Sequence, residues 1–237
     1  DYGVERRVLS ADEVVAIEPA LSAQRAHIVG GDFAPDDESG DVHLFARALA
    51  RHAEQAGVAF RYNTQATRLT SERGRVTGLE IVRPDGGFDT VLADAYVVAL
   101  ASHTPHLVEP LGVPCNVYPT KGYSATFAVR DDSRAPTVSL TDRAHKVVMS
   151  RLGQRLRLAG TAEIGGYDRD LSQARCQMLA RLADELFPGA LAIEGATYWA
   201  GLRPSTPSNV PLIGRTRLAN LYLNTGHLAD ALFAAWA

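Results

Sequence analysis

Tyr198-Trp199-Ala200-Gly201-Leu202-Arg203-Pro204-Ser205-Thr206-Pro207, continuing to Pro211-Leu212-Ile213-Gly214, places one arginine between an aromatic-rich strand and a run of prolines. Proline fixes φ and so stiffens the backbone that follows Arg203. A guanidinium on so rigid a support suits bidentate capture of a carboxylate. The local pattern is equally compatible with a surface arginine beside a proline-rich turn, and residues elsewhere must decide.

The chain has 237 residues, enough for one large domain or two modest ones, and ample apolar content for a core. A net charge of −3 gives no electrostatic case for nucleic acid. Cys115 and Cys176 are too few and too distant for a metal site or disulfide framework, and buried thiols suit a reducing compartment. No apolar run reaches the roughly 20 residues needed to cross a bilayer, so any membrane association is expected to be peripheral. Arginine outnumbers lysine 22 to 2. Lys121, between Thr120 and Gly122, therefore stands out as a place for a compact ammonium, although two lysines are a small sample.

Ser10 and Glu13 form a capping-box pattern for a helix that stops before Pro19. Asp41 caps a second helix through about Ala56, closed by Gly57. Its apolar residues Val42, Phe45, Ala46, Leu49 and Ala53 follow the helical period and predict a buried face. Val58–Tyr62 reads as the strand returning from it. Strands near Val76–Val82 and Phe88–Leu92 flank Pro84-Asp85-Gly86-Gly87 as a hairpin. Tyr96–Leu100 is a continuous apolar run suited to a fully buried strand. Beyond Asn116, β segments are predicted at Tyr123–Val129, Lys146–Arg151 and Leu156–Ala159. A third helix spans Ser172–Phe187, with Ala174, Met178, Leu179, Leu182 and Leu186 on its core face, and final strands fall at Thr197–Leu202 and Leu221–Asn224.

Tyr118-Pro119-Thr120-Lys121-Gly122-Tyr123-Ser124, the Arg203 segment, and Asn220-Leu221-Tyr222-Leu223-Asn224-Thr225-Gly226-His227, in this order, resemble the D-amino-acid dehydrogenase family of flavoproteins, within the D-amino-acid oxidase fold group. The resemblance extends to Gly40-Asp41-Val42-His43-Leu44-Phe45 and Tyr96-Val97-Val98-Ala99-Leu100-Ala101-Ser102, and so covers nearly all of 1–227. It implies a mixed α/β fold (α+β in places) with interleaved FAD-binding and β-rich substrate domains. The FAD-binding domain would comprise residues 36–115 and 201–237, and the substrate domain residues 1–35 and 116–200. The implied reaction is FAD-dependent oxidation of a D-amino acid to an imino acid, which hydrolyses to a 2-oxo acid and ammonia. Electrons would pass to a quinone-linked acceptor, at the cytoplasmic face of a bacterial inner membrane. Two alternatives stand beside it: a glycine- or sarcosine-type amine oxidase on the same fold, and a non-catalytic fragment that binds no flavin.

Dinucleotide-binding folds cradle the pyrophosphate with a G-x-G-x-x-G turn at a helix N-terminus, and none occurs here. The glycines from Gly160 to Gly166 have the wrong spacing and read as a turn. Family members carry the motif ahead of the matched region, so the chain is expected to lack the N-terminal βαβ unit and to bind FAD weakly or not at all alone. The family continues after Gly226-His227 with a glycine-rich stretch; here 228–237 is apolar and helix-prone instead. Ala101 stands where such flavoproteins often place glycine, and alanine fits there provided the dihedrals are not left-handed.

Oxidation of an amino acid at a flavin needs an oriented carboxylate, a Cα–H aimed at the flavin and a neutral amine. Arg203 is the candidate carboxylate anchor, with Lys121 and Tyr123 as further candidate catalytic residues. Tyr123, Tyr198 and Trp199 are candidates for an aromatic substrate wall, with core packing as the alternative reading. The resemblance implies cofactor contacts at Ala66, Leu100, Ala101, Gly226 and His227. His227 also admits a general-base or a purely structural reading. His103 and His106 are expected on the surface. The acidic run Asp36, Asp37, Glu38 and Asp41 is explained by helix capping and solvation without a metal.

Overall fold

The computed structural model describes residues 5–228; the apolar, helix-prone tail expected from 228 to 237 falls, but for its first residue, outside them. In chain order the elements are β1 (Arg7–Leu9), α1 (Ala11–Ile17), β2 (Gly31–Phe33), α2 (Val42–Gln55), β3 (Gln65–Glu72), β4 (Arg75–Val82), β5 (Phe88–Val91) and β6 (Tyr96–Val98). They continue with α3 (Thr104–Val108), β7 (Tyr118–Ala128), β8 (Leu140–Asp142), β9 (Val147–Leu152), β10 (Arg155–Ile164), α4 (Gln173–Leu186), β11 (Thr197–Ser205), β12 (Leu212–Arg215) and β13 (Leu221–Thr225). The chain forms two units. One runs to Asp41 and adds Gly122–Ala162 and Arg169–Gly201; the other comprises Val42–Lys121, Glu163–Asp168 and the chain from Leu202 onward.

The first unit is built on a sheet of order β11-β7-β10-β9-β8. Side chains alternate across a strand, and Tyr123, Ala125, Phe127, Val147, Met149, Leu156, Leu158 and Ala200 form one apolar core with Cys176, Leu179, Leu182, Ala183 and Leu186 of α4. The period predicted for α4 is therefore right, but its stripe is shifted: Ala174 is exposed, and Cys176 and Ala183 take the core positions. α1 starts with the expected capping box, Ser10 N donating to Glu13 Oε2 at 2.8 Å and Glu13 N to Ser10 Oγ at 3.4 Å. The buried Glu18 carboxylate accepts from Thr137 N at 2.6 Å, Val138 N at 3.1 Å and Ala20 N at 3.1 Å, which fastens the segment after α1 to the 137–138 loop.

In the second unit a sheet of order β12-β13-β6 and a meander of order β3-β4-β5 share a core of Leu69, Val76, Tyr96, Val98, Leu107, Val108, Val117 and Leu221. The Asn220 side chain joins the two sheets, accepting from Val76 N at 2.8 Å and donating to Val76 O at 3.0 Å. The predicted hairpin is present as β4 and β5, closed by Arg83 N donating to Gly87 O at 2.8 Å. Strand β3 was not expected from the sequence: it pairs antiparallel with β4 around Arg73-Gly74, both at positive φ.

Three expectations fail here for a common reason. The apolar stripe of α2 is not buried: none of its residues is, and Phe45 is 64% exposed. Val58–Tyr62 forms no strand. β6 is not buried on both faces, since Val97 between Tyr96 and Val98 is 64% exposed. Burying a side chain such as Phe45, Leu49 or Val97 is worth about 1.5–3 kcal/mol, and a strand needs a ladder partner for its N–H and C=O groups. Among the described residues nothing supplies either. Gly160, expected in a turn, sits inside β10 opposite Val147. A Cβ there would meet Val147 Cγ2 at 2.7 Å, so glycine is required by the close strand approach.

Candidate active site

β6 and β13 run parallel, with Val98 opposite Leu223. Their C-terminal ends therefore open side by side, the position where sheets of this kind bind ligands. Leu100, Ala101, Gly226 and His227 lie just beyond those ends. Ala101 adopts φ 48°, the left-handed conformation under which an alanine was expected to fit poorly. Its carbonyl accepts from Thr225 Oγ1 at 3.0 Å, and Thr104 Oγ1 donates to that same Thr225 oxygen at 3.0 Å. Gly226 has φ 79°, and a Cβ on it would lie 2.7 Å from Thr206 Cγ2, so only glycine fits. His227 is half-buried and Leu100 partly exposed.

The strand that bears Arg203 is tied to this group through its neighbour Leu202. Ser102, directly after Ala101, is buried and donates through Oγ to Leu202 O at 3.0 Å. The Arg203 side chain is itself buried, 9% exposed, and burial pushes its guanidinium below the usual value. A desolvated guanidinium binds a carboxylate more strongly than one in water, because each charge-assisted hydrogen bond forms in a lower dielectric. Ser205 Oγ donates to Thr120 Oγ1 at 2.6 Å, which fixes the far end of β11 against β7.

Lys121, 1% exposed, stands out in the structure as it does in the sequence, but its ammonium is engaged by Asp168 Oδ2 at 2.8 Å and Glu163 Oε1 at 3.2 Å. It ties down the segment Glu163–Asp168. That segment is also held by Gly166 N donating to Tyr118 OH at 3.2 Å and by Tyr167 OH donating to Ser102 O at 2.8 Å. The Tyr167 ring packs on His103 and His106, centroids 5.1 and 4.4 Å away, and both histidines are exposed as expected. Burial raises the Tyr167 hydroxyl pKa, keeping it a donor.

Other predicted site residues lie apart from this cluster. Tyr123 is fully buried in the core of the first unit, beneath the Arg175 guanidinium. Ala66 sits half-buried on β3 against the core of the second unit. Tyr198 packs on the first unit's core, while Trp199 lies over Gly201, where a Cβ would clash with the indole. Sequence reasoning missed Ser102, Thr104, Thr225, Glu163, Tyr167 and Asp168. The signal available for the first three was hydroxyl residues just past the ends of apolar strands, where they can cap free carbonyls.

A family model described as FAD dependent oxidoreductase matches residues 1–237. The chain belongs to this family. It is 50% identical over 226 residues to a D-amino acid dehydrogenase of Dechloromonas aromatica, covering 95% of this chain and 54% of that protein. A D-amino acid dehydrogenase of Methylobacterium radiotolerans is 46% identical, with 95% and 53% covered. The chain thus spans about half the length of these curated relatives. Among solved structures, glycine oxidase from Geobacillus kaustophilus superposes with a TM-score of 0.81 at 24% identity, over 98% of this chain and 60% of that one. L-proline dehydrogenase from P. horikoshii gives 0.82 at 17%, over 99% and 62%. These confirm the mixed α/β flavoenzyme fold expected from the sequence.

The residues present fit a portion of an FAD site. The open ends of parallel β6 and β13, with a left-handed turn at Ala101 and no large side chain at Gly226, leave backbone free to approach a ring system. A glycine-rich phosphate turn is not among the 237 residues. Among the described residues no helix is long and apolar enough to cross a membrane, and no group of three or more His, Cys, Asp or Glu gathers in a way that could hold a metal.

Proposed function

We propose that this chain carries the substrate-anchoring and C-terminal flavin-contacting half of an FAD-dependent D-amino acid dehydrogenase, which converts D-amino acids to 2-oxo acids and ammonia. The buried Arg203, linked through Leu202 and Ser102 to the Ala101 turn, is the observation that carries the reading. FAD supplies the acceptor for the Cα hydride. Arg203 holds the substrate carboxylate by its fork, which fixes Cα relative to the Ala101 and Gly226 backbone. Thr225 and Thr104 hold the Ala101 carbonyl, and Lys121 holds the Glu163–Asp168 segment whose Tyr167 covers Ser102. The first unit corresponds to the substrate domain and the second to the flavin domain of the family fold. Electrons then leave for a quinone-linked acceptor, with the protein in the cytoplasm or peripheral to the inner membrane.

The exposed stripe of α2, the Val58–Tyr62 segment and Val97 are where the other half of such an enzyme would pack. The test supplies that half. A chimera joining the N-terminal half of the Dechloromonas relative to this chain is purified, scored for bound flavin, and assayed with D-alanine using oxygen or an artificial acceptor. Flavin-loaded protein that reduces the artificial acceptor supports the reading. Turnover of glycine or sarcosine with oxygen in preference would replace it by the oxidase, and flavin-free protein would replace it by the non-catalytic form.

A further inference from the structure

The face of the first unit's sheet opposite α4 carries Arg157, which makes no ion pair among the described residues. Leu156 and Leu158 of β10 point into the core, so Arg157 between them points away; Ser124 between Tyr123 and Ala125, and Trp199 between Tyr198 and Ala200, do the same on β7 and β11. There Arg157 Nη2 donates to Ser124 Oγ at 3.0 Å, and the guanidinium carbon stands 5.6 Å from the Trp199 ring centroid. Among the described residues no carboxylate comes within ion-pair distance of Arg157; the nearest one to act on it electrostatically, Asp41, lies 3.8 Å from Arg155. Arg157 Nε–H is buried with no acceptor among the described residues. Ser124, 1% exposed, uses its oxygen to accept from Arg157, and its own proton finds no acceptor among the described residues.

A buried donor left unmade is costly, and Arg157, half-buried as a residue, has such a donor at its covered Nε. Burial pushes the Arg157 guanidinium down, with Asp41 acting in the other direction. An unmet Nε–H on the cation, with the Ser124 hydroxyl proton beside it, describes a receptor for an acceptor group. Arg155 also acts on Arg157 but is offset by Asp41, 3.8 Å from it, so the net charge is a single positive one, which matches a monoanion better than a phosphate dianion. The indole beside it supplies an apolar wall, which matches an organic acid better than a mineral one.

We propose that Arg157, Ser124 and Trp199 form a binding site for the carboxylate of a small organic acid. Arg157 provides the fork and Ser124 a third donor. Because Nε is covered, entry displaces the Trp199 indole, which is 38% exposed and has room to move. That displacement is also the readout. The site needs no flavin and no turnover, so its test is separate from that of the activity proposed above.

The full chain with Trp236→Phe leaves Trp199 as the one tryptophan. Its emission is followed during titration with sodium acetate, with sodium chloride and with sodium phosphate, at matched ionic strength. The expected result is a saturable change with acetate alone, weakened at least about tenfold in Arg157→Gln and severalfold in Ser124→Ala and Arg157→Lys. It should persist in Arg203→Ala. Arg157→Met removes an uncompensated charge, so its melting temperature should hold or rise while the response disappears. An acetate response that survives in folded Arg157→Gln overturns the site. So does a linear, non-saturating response, or an equal one from chloride or phosphate.

Discussion

The Thr225 hydroxyl donates to the Ala101 carbonyl at 3.0 Å, across the mouth between two parallel strands. The residue it holds is an alanine at φ 48°. That conformation costs an L-residue roughly 1–2 kcal/mol, and the Thr225 and Thr104 hydroxyls help to maintain it. Ala101→Gly should therefore raise stability by about 0.5–1 kcal/mol, after allowing for the extra freedom glycine gives the unfolded chain. Thr225→Val should lower it by about 1–3 kcal/mol, because the Ala101 carbonyl loses its buried partner. Urea midpoints of the two variants check this. A destabilised glycine variant would show that Ala101 is not strained.

Lys121 is fully buried while Glu163 and Asp168 keep partial access to water. Lys121→Met should cost about 1–2 kcal/mol, less than for a wholly buried pair, since the carboxylates can rehydrate. Amide exchange at Gly166 and Tyr167 should accelerate by more than the global change explains. Exchange that follows global stability alone would remove Lys121 as the clasp of this segment.

Arg203→Ala, in the flavin-loaded chimera, should lower kcat/KM for a D-amino acid at least about 30-fold, corresponding to roughly 2 kcal/mol of lost transition-state binding. Arg203→Lys should lose less, because the charge remains and only the fork is gone. Unchanged kinetics in either variant would take Arg203 out of the site.

Phe45 and Leu49 on α2 are largely exposed. Phe45→Ser with Leu49→Ser should change the stability of this chain by less than about 0.5 kcal/mol. Binding of a hydrophobic dye and self-association should fall. In the chimera the same pair should become costly, by about 2–5 kcal/mol. Equal effects in both settings would mean that no partner half covers the helix.

Burial raises the thiol pKa of both Cys115 and Cys176, loss of water being the largest influence in each case. An acid whose folded pKa is raised leaves stability intact below its unfolded pKa. Stability then falls as pH climbs from that unfolded value towards the raised folded one. Both thiols should resist alkylation at pH 8 in the native chain and react at once in urea. Fast labelling of the folded protein would contradict their placement in the two cores.

Local sequence settled what local chemistry controls. The capping box at Ser10, the hairpin around Asp85-Gly86-Gly87 and the period of α4 follow from hydrogen bonds and side-chain spacing within a few residues, and the structure has them. The motifs around Lys121, Arg203 and Gly226 marked the family before any geometry was known. The apolar stripe of α2 and the Val58–Tyr62 segment were legible as elements meant for burial, yet periodicity states only which side chains seek a partner, not whether one is present. Tertiary structure alone showed that Lys121 is spent on Glu163 and Asp168, more than 40 residues away. It alone set Ala101 left-handed, through a hydroxyl 124 positions later. It alone left Arg157 without an ion pair among the described residues. Each of these depends on which distant strands lie side by side, a property of long-range pairing that no short stretch of chain encodes.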